Sequence, residues 1–147
     1  MLNNKGMIQL TYTSMAAPLL VTHDIKRILE IAKKFNSENK ITGCLLYYKH
    51  RFLQILEGEE EIIEELYAKI KQDKKHFNVN LLHINEINER IFPKWSMAFK
   101  ELNKNQIEKL TGTGLFEDNL IRFSEITNKP TLATRLFWKK AVEIIEI

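Results

Sequence analysis

The stretch Ile41–Gly58, ITGCLLYYKHRFLQILEG, decides the fold of this 147-residue chain. Its two halves, Ile41 to Tyr48 and Phe52 to Leu56, are apolar and rich in residues that favour strands, which predicts a strand in each half. The connection Lys49-His50-Arg51 is too short for a crossover. The two strands must therefore form an antiparallel hairpin.

Each end of this hairpin continues into an amphipathic helix. The helix before it is predicted to have Thr22 as its N-cap and to be closed by Asn36-Ser37-Glu38-Asn39. After the hairpin, the acidic run Glu59-Glu60-Glu61 predicts the start of a second helix, which extends from about Glu60 to Gln72. Apolar residues recur at spacings of three and four in both segments, so each helix has one face to bury. These residues are Ile25, Ile28, Leu29, Ala32 and Phe35 in the first helix and Ile62, Ile63, Leu66 and Ile70 in the second.

Three further segments have the composition of strands, namely Met7–Thr13, Val79–Ile87 and Trp95–Phe99. The resulting order is strand, helix, strand, strand, helix, strand, strand. This order predicts an α+β, ferredoxin-like βαββαββ fold in which one sheet carries both helices on one face. In such a sheet the first and third strands are neighbours at the centre.

From residue 101 onward the pattern is that of a helical extension. Asn103–Leu110 predicts a short helix, and Pro130 is placed as a first-turn proline for a final helix from Thr131 to about Glu146. The extension is too short for an independent domain and too apolar to be left in water. We therefore expect residues 1–100 to form one domain, with residues 101–147 as C-terminal helices packed on the other face of the sheet or on another subunit.

The composition limits the classes of protein to which this chain can belong. An apolar share of 44% and a charged share of 28% are typical of a globular chain. The net charge is only +3 and the lysines are scattered, so we expect no nucleic-acid partner. Cys44 is the single cysteine and the four histidines lack metal-ligand spacing, so neither a disulfide nor a metal site is expected. With no signal peptide and no apolar run of membrane-spanning length, the sequence predicts a cytoplasmic protein that does not bind membranes.

The third strand is interrupted by one amide, Gln54. Burying this amide without partners would cost about 1–3 kcal/mol, so a neighbouring strand or a ligand with a polar edge must bind it. Tyr12 on the first strand and Asn36 at the end of the first helix can converge with it on a groove between the two helices. Taken singly, a strand tyrosine is usually core and an asparagine after a helix is usually a C-cap.

Two other groups of side chains can be explained either by a functional role or by ordinary structure. Trp95 and Met97 lie two residues apart on the predicted last strand, so they face the same side of the sheet. Such a pair usually only fills space. A polar cluster lies at the end of the second helix and consists of Lys69, Asp73, Lys75 and His76. Cations at that position are usually a solvated helix end, where the helix dipole favours them.

Five segments together resemble the BLUF family, the blue-light sensors that use FAD. They are Leu10–Ala16 (LTYTSMA), Phe35–Gly43 (FNSENKITG), Phe52–Gly58 (FLQILEG), Asp73–His76 (DKKH) and Trp95–Met97 (WSM). The resemblance covers roughly residues 7–100 and implies a ferredoxin-like fold. It also implies that FAD, or else FMN or riboflavin, is held non-covalently between the two helices and that the protein senses blue light.

The resemblance implies a role for each matching residue. Tyr12 resembles the family's photo-electron donor and Gln54 the switching amide between that tyrosine and the flavin, while Trp95 and Met97 resemble the output pair. Asn36 resembles the side chain that hydrogen-bonds the polar edge of the flavin. The implied cofactor contacts are Tyr12, Ile28, Asn36, Gln54, Lys69, Ile70, Asp73, Lys75 and His76. Lys75 stands where relatives have an arginine, so a planar bidentate contact is lost there.

Other functional classes fit the sequence less well. The aromatic strand of RNA-binding domains is missing, and the sequence offers neither a phosphate-binding glycine loop nor a Ser-His or Cys-His arrangement, so we do not expect an enzyme. A flavin-binding redox protein, or an interaction module of the same fold without photochemistry, remains the alternative. Since the residues after 100 leave no room for a cyclase, kinase or phosphodiesterase domain, we expect output through protein contacts. Those contacts would be made within a homo-oligomer or with a downstream regulatory protein.

Overall fold

The strands and helices follow one another along the chain in the predicted order. The computed structural model describes residues 6–94 and 96–101, together with Lys139. Its elements are β1 (Met7–Ala16), α1 (Thr22–Glu38), β2 (Thr42–Tyr48), β3 (Arg51–Glu59), α2 (Glu60–Gln72), β4 (His76–Ile87) and β5 (Ala98–Glu101). The sheet has the order β4-β1-β3-β2-β5, in which only the β2–β5 pair is parallel. The predicted ferredoxin-like α+β fold is confirmed, with β1 and β3 side by side at the centre.

The hairpin between β2 and β3 turns more tightly than predicted. Arg51 pairs with Tyr48, so the loop is only Lys49-His50. Both loop residues have positive φ angles, 42° and 66°, as a two-residue turn that matches the twist of the strands requires. Gly43 allows the two strands to approach, because a side chain there would collide with the backbone carbonyl of Ile55.

The start of α1 lies one residue from the prediction, and its end falls within the predicted closing stretch but at Asn39 rather than Asn36. The N-cap is Val21 rather than Thr22, and the Asp24 carboxylate accepts the Val21 N–H at 3.0 Å. Asn39 is the C-cap, and its side chain donates to the Phe35 carbonyl at 2.8 Å. Asn36 therefore lies inside the last turn and does not close the helix, which leaves its side chain free for a contact outside α1.

The last two strands also begin elsewhere than predicted. β4 starts at His76, not Val79, so His76 belongs to the sheet rather than to the end of α2. β5 begins at Ala98, not Trp95. Residues 91–94 form bends and a turn that contains Pro93, so pairing with β2 begins later in the sequence than predicted. Met97 consequently precedes β5, and Trp95 lies outside the described residues.

The core that positions the site lies between the sheet and both helices. Ile25 of α1 and Ile63 of α2 are buried against inward-facing residues of the sheet. Those residues are Ile8, Leu10, Tyr12, Leu45, Phe52 and Leu56. Two helices that share one cluster with one side of the sheet lie on the same face, as predicted.

A buried carboxylate holds the segment before β5 from the other face. Glu57 accepts the backbone N–H groups of Ile91 at 2.8 Å and Phe92 at 2.6 Å, and the hydroxyl of Thr42 at 2.8 Å. Arg90 adds hydrogen bonds to the Thr42 hydroxyl and to the Glu57 carbonyl. Charge-assisted bonds of this kind are about twice as strong as neutral ones, so residues 90–92 are firmly attached to β2 and β3.

Two sequence predictions concern parts of the chain beyond this description. The C-terminal helices predicted for residues 101–147, and their packing on the other face of the sheet, lie outside the described residues. In the described part, neither helix combines the length and apolar character that crossing a bilayer demands.

Candidate functional site

A cavity of about 340 Å³ lies between α1, α2 and the inner face of the sheet. Its walls are mostly apolar and its polar groups are at the floor and at one end. The lining residues are Ile28, Ile31, Ala32, Phe35 and Asn36 of α1, Leu66, Lys69 and Ile70 of α2, Tyr12, Leu45, Phe52, Gln54 and Leu56 of the sheet, and Asp73, Lys75 and His76. An apolar cleft with a few convergent polar groups is the usual form of a small-molecule site.

Strand register brings Tyr12 and Gln54 together at the floor. The two residues are direct partners in the antiparallel β1–β3 pair, so their side chains leave the sheet on the same face. The Tyr12 hydroxyl donates a hydrogen bond to Oε1 of Gln54. Both side chains are buried. The buried Gln54 amide, which the sequence analysis expected to need a hydrogen-bond partner, therefore has one on the neighbouring strand.

The other end of the Gln54 amide reaches the segment before β5. Its Nε2 donates to Sδ of Met97 at 3.4 Å, and Met97 is buried. A thioether is a weak acceptor. Three residues from three separate parts of the chain therefore form one line, phenol to amide to thioether, whose last link is weak.

Burial keeps the Tyr12 phenol protonated. Desolvation raises its pKa well above the usual value of about 10, and Tyr67 and Asp73 nearby raise it further. The centre of the Tyr67 ring lies 5.7 Å from that of Tyr12. At neutral pH the hydroxyl is therefore protonated and acts as a hydrogen-bond donor to Gln54.

Asn36 connects α1 to the same segment. Its Nδ2 donates to the backbone carbonyl of Ser96 at 2.9 Å, and the side chain is 2% exposed. The C-cap interpretation of this residue is wrong, because Asn39 has that role. Asn36 still lines the cavity and retains further hydrogen-bonding capacity, since an amide has two donors and two lone pairs.

His76 fastens the end of the cavity. Its Nε2 lies 2.6 Å from the Ile70 carbonyl, so Nε2 carries a proton, and its Nδ1 lies 2.9 Å from the Ser14 hydroxyl. Both ring nitrogens are thus bound to the protein, and the ring joins α2 to β1. The neighbouring backbone N–H of Lys75 donates to the Asp73 carboxylate at 2.9 Å, which shapes the turn between α2 and β4.

Lys69 reaches across the cavity from α2. Its ammonium lies 5.6 Å from the centre of the Phe35 ring on α1, within the range of a cation–π contact. This contact and the apolar pair Ile28 and Ile70 face each other from the two helices. Lys69 and Phe35 thus join α2 to α1 across the cavity.

All nine residues that the resemblance implies for cofactor contact line this single cavity. Their contacts with a flavin stay a prediction. Sequence reasoning did not assign a site role to Ile31, Leu45, Phe52, Leu56 and Leu66. The signal was present in part, because residues 52, 54 and 56 alternate onto one face of β3 and Leu66 is one turn before Ile70.

The sequence and the fold match known light sensors. The family model described as "BLUF: Sensors of blue-light using FAD" matches residues 7–98. Photoactivated adenylate cyclase subunits of Euglena gracilis are similar to part of this chain. The beta subunit is 35% identical over 90 residues, which are 60% of this chain and 10% of that protein. The alpha subunit is 41% identical over 86 residues, which are 58% of this chain and 8% of that protein. This chain thus spans about a tenth of the length of these curated relatives.

Solved structures agree with the sequence match. The photo-activated state of BlsA is 32% identical with a TM-score of 0.67, over 82% of this chain and 94% of that one. BlrP1 of Klebsiella pneumoniae, in its pH 9.0 manganese and cyclic-diGMP complex, is 26% identical with a TM-score of 0.74, over 90% of this chain and 32% of that one. Since the family match covers more than half of the sequence and the phenol–amide pair lies at the floor of the cavity, this chain belongs to the BLUF family, the sensors of blue light that use FAD.

Proposed function

We propose that this chain holds the ring of FAD non-covalently between α1 and α2 and that blue light changes the hydrogen bonds of Gln54, which passes a signal to protein contacts through Met97. The observation that carries the proposal is the line Tyr12–Gln54–Met97 at the floor of an apolar cavity. FMN and riboflavin share the ring of FAD, so the ring site itself accepts all three.

The residues present fit a flat ring with a polar edge. Ile28 and Ile70 supply apolar surfaces from opposite helices, and Asn36 and Gln54 supply amides along one side. Gln54 donates only to a thioether, so a carbonyl oxygen brought into the cavity offers its Nε2 a much better acceptor. A ligand with such an edge therefore gains a hydrogen bond at little cost to the protein.

The protein's part in the chemistry follows from its hydrogen bonds. When bound, the flavin supplies blue absorption and, once excited, an oxidant able to take an electron from a nearby phenol. Tyr12 gives up that electron, and its proton moves along its hydrogen bond to Oε1 of Gln54. When the electron and the same proton return to Tyr12, the Gln54 amide has its original protons and would be left rotated; a tautomerised amide would instead keep that proton on Oε1 and give back a proton of Nε2 in its place. Nothing is consumed, so the original arrangement returns in the dark.

Output in this scheme is a change of contacts rather than a reaction on a substrate. With its amide turned, Gln54 no longer presents Nε2 to Met97, which frees a buried residue directly before β5. We propose that residues 101–147 receive this change and alter the association of the chain with copies of itself or with a downstream regulatory protein. The two-state element is the hydrogen-bond network, and light biases it.

An absorption spectrum of the purified chain, recorded before and after blue light, tests the proposal. We expect a yellow protein whose flavin bands move to the red without bleaching and return in the dark. A colourless protein that cannot be reconstituted with FAD, FMN or riboflavin would overturn the proposal. A bound flavin that bleaches instead of shifting would favour a redox protein.

A further inference from the structure

The edge strand β4 leaves apolar side chains in water. It pairs with β1 on one side, and no strand among residues 6–94 and 96–101 pairs with its other side. Among the described residues, most of the exposed large apolar side chains lie in this one strand; they are Phe77, Leu81, Leu82 and Ile84, each 40–46% exposed. A long apolar edge strand is a template for another chain and is usually protected by lysine or proline. The sequence of β4, HFNVNLLHINEI, contains neither.

The two ends of β4 carry opposite charges. The pair Lys74-Lys75 precedes the strand, Glu86 lies in its last turn of pleat and Glu89 follows it. Within the described part of the chain, none of these four side chains has an ion pair. Two other charges nearby are already engaged, since the Asp73 carboxylate accepts a backbone N–H at 2.9 Å and the Arg90 guanidinium donates to backbone carbonyls at 2.6 and 3.1 Å. One end of β4 is therefore positive and the other is negative.

The sequence of this strand is also symmetric in character about the bond between Leu81 and Leu82. Positions equally far from this centre match in kind: Leu81 with Leu82, Val79 with Ile84, Asn78 with Asn85, and Lys74 with Glu89. The match is poorer at Phe77, which comes opposite Glu86. Two copies of β4 laid antiparallel about a twofold axis at this centre therefore place apolar side chains on apolar ones, amide on amide and cation on anion. A twofold interface requires such self-complementarity, because each patch meets its own copy.

Two bulges limit how the copies can meet. The register with β1 shifts at Leu82, which has no partner on β1, and again between Asn80 and Phe77. Asn78 within the second shift has a positive φ of 52°. Bulges bend an edge strand and increase its twist, which prevents a backbone ladder from continuing along the whole edge. The side chains must therefore carry most of the contact, and the association closes at two copies.

We propose that β4 is a homodimer interface, in which two copies of this chain meet antiparallel about a twofold axis at Leu81 and Leu82. Lys74 of each copy lies toward Glu89 of the other. This contact goes beyond the proposed function, because it needs neither flavin nor light. One strand and its flanking turns form a small interface, so the dimer is weak and depends on protein concentration.

Sedimentation of the full-length chain in the dark, over a series of concentrations, tests the interface. We expect a monomer–dimer equilibrium that Leu82→Glu weakens about tenfold or more, because two carboxylates then face each other at the axis. Leu19→Glu is the matched control: it makes the same change at a leucine that is 92% exposed outside β4, and it should leave the dimer unchanged. A wild-type chain that stays monomeric, or a dimer that Leu82→Glu leaves intact, would overturn the proposal. Circular dichroism checks that each variant is folded.

Exchange of the end charges tests the antiparallel arrangement and decides alone if Leu82→Glu does not fold. Lys74→Glu and Glu89→Lys should each weaken the dimer about tenfold, since each replaces two attractive pairs by two repulsive ones. An equal mixture of the two variants should dimerise as well as the wild type, because every cross pair is again of opposite charge. The double variant Lys74→Glu/Glu89→Lys should do the same. Two weakened variants that do not rescue each other would rule out this arrangement.

Discussion

The two faces of β3 bind their polar residues in opposite ways. On the inner face Gln54 is neutral and lies between a phenol and a thioether. Three residues later, on the outer face, the Glu57 carboxylate is held by two backbone N–H groups and one hydroxyl. Glu57 has fixed, charge-assisted partners, whereas Gln54 has one partner that it can exchange cheaply. One strand thus carries both an anchor and an adjustable group.

A second glutamine makes the contrast sharper. Gln9 on β1 is fully buried on the outer face, where its register partners are Glu57 and Asn85. Neither amide atom of Gln9 has a hydrogen-bond partner among the residues described. Burial of an amide in a strand is therefore not enough to make a switch. What distinguishes Gln54 is a donor on one side and a weak acceptor on the other, at the wall of a cavity.

Replacing each glutamine by leucine is the most direct test of the difference between Gln54 and Gln9. Gln54→Leu should abolish the red shift completely while flavin stays bound, because the apolar walls remain. Tyr12→Phe should do the same, since it removes the proton donor. Gln9→Leu is the matched control and should keep the full shift. Spectra before and after blue light measure all three, and a normal photocycle in Gln54→Leu would contradict the assigned mechanism.

Removing the anchor should cost stability rather than colour. Glu57→Ala leaves the N–H groups of Ile91 and Phe92 without their acceptor in the described structure, so we expect the free energy of unfolding to fall by about 3 kcal/mol. Glu57→Gln keeps one oxygen acceptor and should lose about half as much. Urea denaturation of the full chain gives both values. Wild-type stability in Glu57→Ala would mean that Glu57 is not an anchor.

Alkaline pH should reveal the buried phenol. The pKa of Tyr12 is raised in the folded state, so above its unfolded value of about 10 the folded state holds a proton that the unfolded state has lost. Its contribution to stability is complete below pH 10 and falls by about 1.4 kcal/mol per pH unit above it. Subtracting the curve of Tyr12→Phe isolates this effect from that of Cys44, whose pKa burial also raises. A flat difference curve would mean an exposed phenol.

The smallest effect is expected at Gln9, and it has the opposite sign. Gln9→Leu replaces an amide that has no partner among residues 6–94 and 96–101 by an apolar side chain of similar size, which should raise the free energy of unfolding by about 1 kcal/mol. The same change at Gln54 should not stabilise, because it leaves the Tyr12 hydroxyl without its acceptor. Denaturation of the two variants side by side decides between these outcomes. A loss of stability in Gln9→Leu would indicate a partner for its amide.

The sequence predicted most of the fold because its signals were local and repeated. Helix spacing, the short hairpin and the strand order sufficed to place Tyr12 opposite Gln54, and α2 was predicted with its observed ends, Glu60 and Gln72. The boundaries that failed depend on contacts distant in sequence. β5 begins at Ala98 because Glu57 binds Phe92 and the chain turns at Pro93 before it can pair with β2. The sequence near Trp95 has no local pattern that indicates this later start.

The site was predicted in part. The polar residues Tyr12, Asn36 and Gln54 could be named because a buried amide needs a partner. Several apolar lining residues were not assigned to the site, because their periodicity equally marks ordinary core positions: Ile31, Leu45, Phe52, Leu56 and Leu66. Arg90 and Glu57 form a contact across 33 residues, which only the folded chain brings together.

The hydrogen bonds of Glu57 influence the direction in which a displacement of Met97 would be transmitted along the chain. If Met97 is displaced as we propose, the hydrogen bonds that hold residues 91 and 92 should keep the displacement out of β4, and we expect it to appear in β5, which begins at the next residue. β5 is a four-residue strand paired with β2 alone in the described sheet, from Cys44 opposite Ala98. A strand cannot slide by a fraction of a residue without losing its ladder, and a full step of about 3.3 Å turns every side chain to the other face. Under the proposed output, an edge strand of this kind would therefore convert a small displacement at one thioether into a complete exchange of the side chains that it exposes.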